Sequence, residues 1–305
     1  MARLIDRRNF LQNCTTAAVA ASSIGSWANP AVAIEPIVRN GLPKFKFSLA
    51  AYSYRNLLTG NPPQQTLTDF INDCAKMNLE GTELTSYYFP TPTTNDYLHQ
   101  LKFQCFRLGL DVSGTAVGND FGFPRGDARN EQIASLKRWI DHAEVLGAPV
   151  IRIFAGKQKE GITLERTHVL MVEGIEECCD YAGQHGIHLA LENHGGLTAT
   201  VEGMMSFIRD VDSPWFGVNF DSGNFYSEDP YRDLSQIAPY ALNVQVKVVT
   251  SDEQRQNKKP TDFARLAQIL RDADYRGYIV LEYEEAGDPR EECPKYLDIL
   301  RKQFA

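Results

Sequence analysis

Short apolar runs alternate along the chain with longer segments in which apolar residues recur every three or four positions. The run at 187–191 is an example of the first kind, which is typical of strands buried on both faces. The segment 66–77 is an example of the second kind, because Phe70, Ile71 and Cys74 fall on one side of a helix. The pattern therefore predicts parallel strands that are separated by amphipathic helices.

The alternation repeats eight times. The predicted strands cover 44–54, 80–86, 110–117, 149–154, 187–191, 216–220, 242–249 and 278–283. The predicted helices cover 66–77, 96–108, 131–146, 164–185, 200–210, 231–237, 262–273 and 290–303. Eight such units without a long linker predict an α/β protein with one closed (β/α)8 TIM barrel over 40–305. An open doubly wound sheet is the alternative, but no Gly-rich phosphate loop follows an early strand.

Residues 1–33 have the features of an export signal. A twin-arginine pattern, D-R-R-N-F-L-Q, occupies 6–12 and precedes a small-residue apolar segment at 14–24. An A-x-A cleavage pattern follows at 31–33. The apolar segment is too short to cross a bilayer comfortably. We therefore expect a twin-arginine signal peptide, export to the periplasm, and no membrane segment after signal removal.

Charge narrows the choice of partners. The formal net charge is −8, and loss of Arg3, Asp6, Arg7 and Arg8 with the signal takes it to −10. A nucleic-acid partner calls for a basic face, which this balance does not favour. We expect a small-molecule partner and no nucleic acid, and a homo-oligomer remains possible.

Four oxygen-bearing side chains mark the ends of the last four predicted strands. They are Glu192, Asp221, Gln245 and Glu282. In a barrel the carboxyl ends of the strands share one mouth, so these side chains are expected to converge. Hard oxygen donors of this kind suit one divalent metal ion, Mn²⁺ first, with Mg²⁺ or Co²⁺ as alternatives. The competing interpretation is that each acid caps a helix or pairs with a lysine.

Several motifs around these residues resemble one known family. The segments are A-L-E-N-H at 190–194, V-N-F-D-S-G-N at 218–224, V-Q-V-K at 244–247 and G-Y-I-V-L-E at 277–282. The chain resembles the xylose-isomerase-like TIM-barrel superfamily of sugar isomerases and epimerases over essentially all of its length after residue 33. The resemblance implies that the four strand-end residues bind one divalent metal. It also implies that Glu192 and Glu282 are acid/base groups on either face of the substrate carbon.

Two positions depart from that resemblance. The family usually has a histidine ligand on the seventh strand, where this chain has Gln245. Asn224 stands where several sugar epimerases carry a histidine just after the aspartate. A neutral amide oxygen keeps the site competent for metal. It makes the ligand set harder, in the sense of hard and soft donors, and metal binding weaker.

A second group of side chains is expected to bind substrate. The candidates are Tyr52, Tyr54, Glu83, Arg152, His194, Asn224 and Lys247. Residues two apart on a strand share a face, so His194 is expected beside Glu192 and Lys247 beside Gln245. The same rule places the two tyrosines of 44–54 on one face. His194 and Lys247 could bind hydroxyls or stabilise an enediolate, and the alternatives are a loop histidine and a helix-pairing lysine.

The favoured function is a metal-dependent sugar isomerase or epimerase that moves a proton next to a carbonyl through an enediolate. A lyase or dehydratase acting on a keto-sugar, keto-glycoside or inosose shares the first step and is the second hypothesis. A noncatalytic exported sugar-binding barrel is the third. The endonuclease branch of the family is disfavoured, because only His194 is well placed for its zinc site. No phosphate clamp is visible, so an unphosphorylated sugar or polyol is expected.

Overall fold

A computed structural model describes residues 34–254 and 257–305 of the protein. The predicted signal peptide at 1–33 lies outside these residues. Among the residues that the structure describes, no helix is both long and apolar enough to span a membrane.

Eight parallel strands close into a barrel, with helices in the connections between them. The barrel strands are β1 (Lys44–Ala50), β2 (Gly81–Thr85), β3 (Asp111–Ala116), β4 (Val150–Ile153), β5 (His188–Glu192), β6 (Phe216–Asp221), β7 (Ala241–Lys247) and β10 (Arg276–Glu282). Two short strands, β8 (Val249–Ser251) and β9 (Lys258–Pro260), form a separate sheet. The helices are α1 (Arg55–Leu58), α2 (Leu67–Lys76), α3 (Asn95–Leu108), α4 (Asp127–Leu146), α5 (Leu164–Gln184), α6 (Val201–Asp210), α7 (Pro230–Ile237), α8 (Phe263–Asp272) and α9 (Pro289–Phe304). Around the barrel the strand order is β1-β10-β7-β6-β5-β4-β3-β2, which confirms the predicted (β/α)8 fold.

Polar caps define where the helices begin. Thr66 accepts a hydrogen bond from the backbone N–H of Asp69, and the Asp69 carboxylate accepts one from the backbone N–H of Thr66. Thr163 and Thr200 cap α5 and α6 through their side-chain oxygens. These local signals explain why the helix boundaries agree with the sequence pattern to within a few residues.

Two predicted strands end more than one residue earlier than expected. The first stops at Ala50, and Ala51–Tyr54 forms a 3₁₀ turn that leads into α1. The predicted strand 242–249 stops at Lys247, and β8 pairs antiparallel with β9 outside the barrel. Only Val248 separates β7 from β8. Val248 and Val249 therefore continue the apolar pattern of β7, although the chain has already left the barrel.

Apolar side chains fill the layer between the barrel and its helices, for example Leu49, Val218 and Leu281, which are fully buried. The barrel interior is different, because it contains buried polar residues. Ser48 and Ser113 hydrogen-bond to each other at 2.8 Å, and Asn243 donates to Glu83 across the barrel. The polar interior continues to the carboxyl ends of the strands.

Candidate active site

The carboxyl ends of β5, β6, β7 and β10 bring acidic and basic side chains together. Strand pairing sets Asp221 beside Gln245 and Glu282 beside Lys247. These four side chains and that of Glu192 are at most 8% exposed, as residues, in the described chain. Such burial of charged groups costs free energy unless each has a partner.

Glu192 ends β5 and is held by a cation and an amide. The Nε atom of Arg152, on β4, forms an ion pair with Oε2 of Glu192 at 3.0 Å. The N–H bond of Nε does not point at this oxygen, so the contact is not a hydrogen bond. Asn224 donates from Nδ2 to Oε1 of Glu192 at 2.8 Å. Arg152 is itself fixed, since it donates to the carbonyl oxygen of Val117 at 2.7 Å and its guanidinium carbon lies 4.0 Å from the ring centre of Phe154. The structure thus brings Arg152, Glu192 and Asn224 together.

Asp221 ends β6 and is fixed mainly through its backbone. Its N–H donates to Oδ1 of Asn193 at 2.8 Å, and its carbonyl oxygen accepts from Nδ2 of Asn193 at 2.9 Å. Its Oδ1 atom accepts from the backbone N–H of Gly223 at 2.8 Å. Its Oδ2 atom is buried, accepts no hydrogen bond from the described residues, and lies 3.3 Å from Nζ of Lys247.

Lys247 places its ammonium group among three carboxylates. Nζ lies 2.5 Å from Oε2 of Glu282, 3.0 Å from Oε2 of Glu284 and 3.3 Å from Oδ2 of Asp221. The Lys247 side chain is only 11% exposed. This ammonium therefore neutralises part of a strongly negative pocket at the mouth.

Gln245 points into a closed network of polar side chains inside the barrel. Its Nε2 donates to Oε1 of Glu83 at 2.6 Å, and its Oε1 accepts from Nδ2 of Asn219 at 2.6 Å. Nδ2 of Asn243 donates to Oε2 of Glu83 and to Oδ1 of Asn219, each at 2.9 Å. Both ends of the Gln245 amide are thus engaged. Glu83, which the sequence places near the mouth, lies within this network and is 1% exposed.

The pKa values of the two glutamates shift in opposite directions. Burial raises the pKa of Glu192, and the charge of Arg152 opposes that shift. Burial also acts to raise the pKa of Glu282, but the ammonium of Lys247 outweighs it, so this pKa is lowered. Burial raises the pKa of Asp221 to about 7. Two carboxyl groups whose pKa values are driven apart are suited to the roles of acid and base.

We tested the donor set against the divalent metal that the sequence predicts. Among the described residues, no three His, Cys, Asp or Glu side chains are grouped to hold a metal ion. The Gln245 carbonyl oxygen is bonded to Asn219, and the ammonium of Lys247 lies against Asp221 and Glu282. In this arrangement the donors do not fit a metal centre. The Mn²⁺ site stays a prediction.

The other predicted substrate-binding residues are divided between the mouth and the core. His194 is exposed beside β5 and contacts Phe154, with ring centres 4.6 Å apart. Both residues line a cavity of about 500 Å³ next to the mouth. Tyr52 is half-buried, and its ring centre lies 6.4 Å from that of Tyr87.

Tyr54 requires a correction. It is 1% exposed and packs against Phe70 of α2, with ring centres 5.1 Å apart, so it faces the helix layer. The predicted shared face of Tyr52 and Tyr54 is wrong, because alternation applies to an extended strand and Ala51–Tyr54 is a 3₁₀ turn.

Sequence reasoning missed several residues of this region. Glu284 forms an ion pair with Lys247. Asn219 hydrogen-bonds to Gln245, and Asn243 hydrogen-bonds to Glu83. A signal was present for the two asparagines, since each lies two residues before a predicted strand-end ligand and so shares its face. Tyr87, 3.5 Å from Nη2 of Arg152, lies in a 3₁₀ turn where alternation gives no guidance.

Fold and site together define a (β/α)8 barrel with a buried, carboxylate-rich mouth. Residues 71–303 match the profile of the xylose isomerase-like TIM barrel family, and the chain belongs to that family. It is similar to a 3-dehydroshikimate dehydratase of Bacillus anthracis, with 24% identity over 215 residues that cover 68% of this chain and 72% of the relative.

Solved structures share the fold. A D-psicose 3-epimerase with D-tagatose, from Clostridium cellulolyticum H10, superposes with a TM-score of 0.69 at 15% identity, covering 85% of this chain and 99% of that one. A xylose isomerase domain protein from Planctomyces limnophilus superposes with a TM-score of 0.66 at 17% identity, covering 86% and 97%.

Proposed function

We propose that the protein is an enzyme that moves a proton at a carbon next to the carbonyl group of a small sugar, as an isomerase or epimerase. The observation that carries this proposal is the pair Glu192 and Glu282, two buried carboxyl groups at one mouth. Each has its own cation, Arg152 or Lys247. A noncatalytic binding protein has no need of two buried carboxyl groups with opposed pKa shifts.

The opposed shifts suggest how the two groups share the work. Glu282, whose pKa is lowered, is the carboxylate that removes the proton. The electron pair of the broken C–H bond then forms the C=C bond of an enediolate, and the carbonyl π pair moves to oxygen. In an epimerase, Glu192, whose pKa is raised, delivers a proton to the opposite face of the same carbon. In an isomerase it delivers the proton to the former carbonyl carbon, while the neighbouring hydroxyl group passes its proton to the former carbonyl oxygen and becomes the new carbonyl. Arg152 and Asn224 orient Glu192 for that step.

A lyase is the second candidate. Its support is the similarity to a 3-dehydroshikimate dehydratase at 24% identity. Elimination begins with the same proton removal and differs only in that a leaving group departs from the next carbon. The site needs no further base for this, since Glu192 as an acid can protonate the leaving oxygen.

The remaining expectations belong to the same proposal. The substrate is unphosphorylated, and the cavity beside His194 and Phe154 gives room for part of it. The protein acts after export through the twin-arginine route. The requirement for Mn²⁺, Mg²⁺ or Co²⁺ that the sequence predicts is the exception, because the oxygen donors at the strand ends do not fit a metal in this arrangement.

Product analysis tests the proposal. The purified protein is incubated separately with unphosphorylated ketohexoses and with 3-dehydroshikimate, and products are analysed by mass spectrometry and NMR. An isomer of unchanged mass supports the first candidate, and a product lighter by one water supports the second. Glu192→Gln and Glu282→Gln should each abolish the reaction, whereas Glu177→Gln, on the outer surface of α5, should not. Turnover that persists in both active-site variants would refute the assigned roles.

A further inference from the structure

We propose that the ammonium group of Lys247 is the resident cation of this mouth, and that it holds the substrate oxygen in place of a divalent metal. This inference rests on the proposed function, because it names the electrophile for the same proton transfer. It starts from geometry, since Nζ of Lys247 lies within 3.3 Å of carboxylate oxygens from three different residues.

The chain builds this position from several directions. The backbone N–H of Lys247 donates to Oγ of Ser222 at 2.8 Å, and its carbonyl oxygen accepts from Oγ1 of Thr261 at 2.7 Å. The aliphatic stem passes over Gly223, where a Cβ atom would lie 2.8 Å from Cδ of Lys247. Any larger residue at 223 would push the stem aside. Ser222, Gly223 and Thr261 therefore fix both the backbone and the path of the lysine side chain.

The donor that would complete a metal site is engaged elsewhere. Both ends of the Gln245 amide are hydrogen-bonded, to Glu83 and to Asn219. A divalent ion bound to Asp221 and Glu282 would also lie close to Nζ of Lys247, and two positive centres at that spacing repel. The ammonium and a divalent metal are therefore competitors for the same carboxylates.

The lysine has the donors that the reaction needs. An ammonium group carries three N–H bonds. Lys247 donates one to Glu282, and carboxylate oxygens of Glu284 and Asp221 lie within ion-pair distance of Nζ. Glu284 is the partner that substrate can replace, because its side chain is 37% exposed while those of Asp221 and Glu282 are 0% and 7% exposed. When the C–H bond breaks and the carbonyl π pair moves to oxygen, Lys247 donates a hydrogen bond to that oxygen and keeps its proton.

Manganese alone tests the proposal, with no substrate present. Metal-stripped full-length protein is titrated with Mn²⁺, and free Mn²⁺ is followed by electron paramagnetic resonance. The wild type should leave most of an equimolar amount of Mn²⁺ free. Lys247→Met should bind it at least about tenfold more tightly, because the competing charge is gone. Lys258→Met removes an exposed lysine paired with Glu285 and should behave as the wild type.

Tight binding of one Mn²⁺ by the wild type, with no gain in Lys247→Met, would overturn the proposal. The wild-type titration tests the proposal even where Lys247→Met fails to fold. Near-complete binding of equimolar Mn²⁺ by the wild type would contradict the proposal that Lys247 is the resident cation, and Mn²⁺ that stays free would support it. Failure of the proposed function is distinguishable, because it would appear as absent turnover and leave the metal titration unaffected.

Discussion

Replacing Gln245 with leucine separates a structural role for this residue from a role as a metal ligand. Leucine has a similar volume, so the change removes two buried hydrogen bonds of 2.6 Å without opening a large cavity. It leaves Oε1 of Glu83 and Nδ2 of Asn219 without those partners. Both residues are at most 1% exposed, so water cannot easily replace the lost bonds.

The cost follows from the two groups left unsatisfied. A buried polar group without a partner costs about 1–3 kcal/mol, so Gln245→Leu should lower the free energy of unfolding by about 2–6 kcal/mol. A typical domain has a total stability of about 5–15 kcal/mol, and the loss should be easily measured. Because the bond from Gln245 lowers the pKa of Glu83, its removal should also raise that pKa further.

Urea denaturation of metal-stripped protein at pH 7 measures the effect. Gln268→Leu is the control, because Gln268 is exposed on α8 and bonds only to Asp272 among its described contacts. It should change stability by no more than about 0.5 kcal/mol. If Gln245 were instead a metal ligand, Gln245→Leu would matter mainly when Mn²⁺ is added, since binding stabilises by mass action. A change below about 0.5 kcal/mol without metal would refute the network described here.

Two further predictions concern charge. Burial raises the pKa of Glu83 to about 7 from a usual value of 4.5. Between these two values the folded state binds a proton that the unfolded state releases. The resulting contribution to the free energy of unfolding is full below pH 4.5 and is lost as the pH rises through 7. This contribution amounts to about 3 kcal/mol. Denaturation from pH 5 to 8 should show that the stability of the wild type falls as the pH rises and that the stability of Glu83→Gln falls less. An equal dependence of stability on pH in the two proteins would contradict the prediction. Arg152→Met should lower the free energy of unfolding by about 1–3 kcal/mol in the same assay, because the Glu192 carboxyl group, which carries a proton in the proposed mechanism, stays buried and loses its contact with the guanidinium group. A loss no larger than that of the surface variant Arg138→Met would show that this contact does not stabilise the fold.

Most of the fold could be predicted from the sequence, because it depends on local signals. Apolar runs, helix periodicity and caps such as Thr66 each act within a few residues, and together they predict the barrel. The exceptions are short segments at the ends of the predicted strands, where the pattern is too brief to separate one element from the next. The hairpin of β8 and β9 has only three residues in each strand, and the pattern alone could not separate Val249 from β7.

The candidate site divides in the same way. Convergence of the strand ends was predictable from barrel geometry, and Glu192, Asp221 and Glu282 are indeed buried at one mouth. Alternation along the strands could place Asn219 on the inner face, but it could not predict that Gln245 pairs with Asn219 and Glu83, which are 26 and 162 residues away in the chain. An amide on an inward-facing strand position can equally bind a metal, a substrate or another side chain, and only the folded arrangement decides among these.

Deuterium exchange tests the central claim most directly. The protein is incubated in D₂O with each unphosphorylated ketohexose, and NMR follows the hydrogen on the carbon next to the carbonyl. The wild type should replace this hydrogen with deuterium. Glu282→Gln should not, because an amide cannot accept the proton, whereas Glu177→Gln should exchange as the wild type does. Exchange at the wild-type rate in Glu282→Gln, or turnover of a substrate by the wild type without any deuterium uptake, would contradict it.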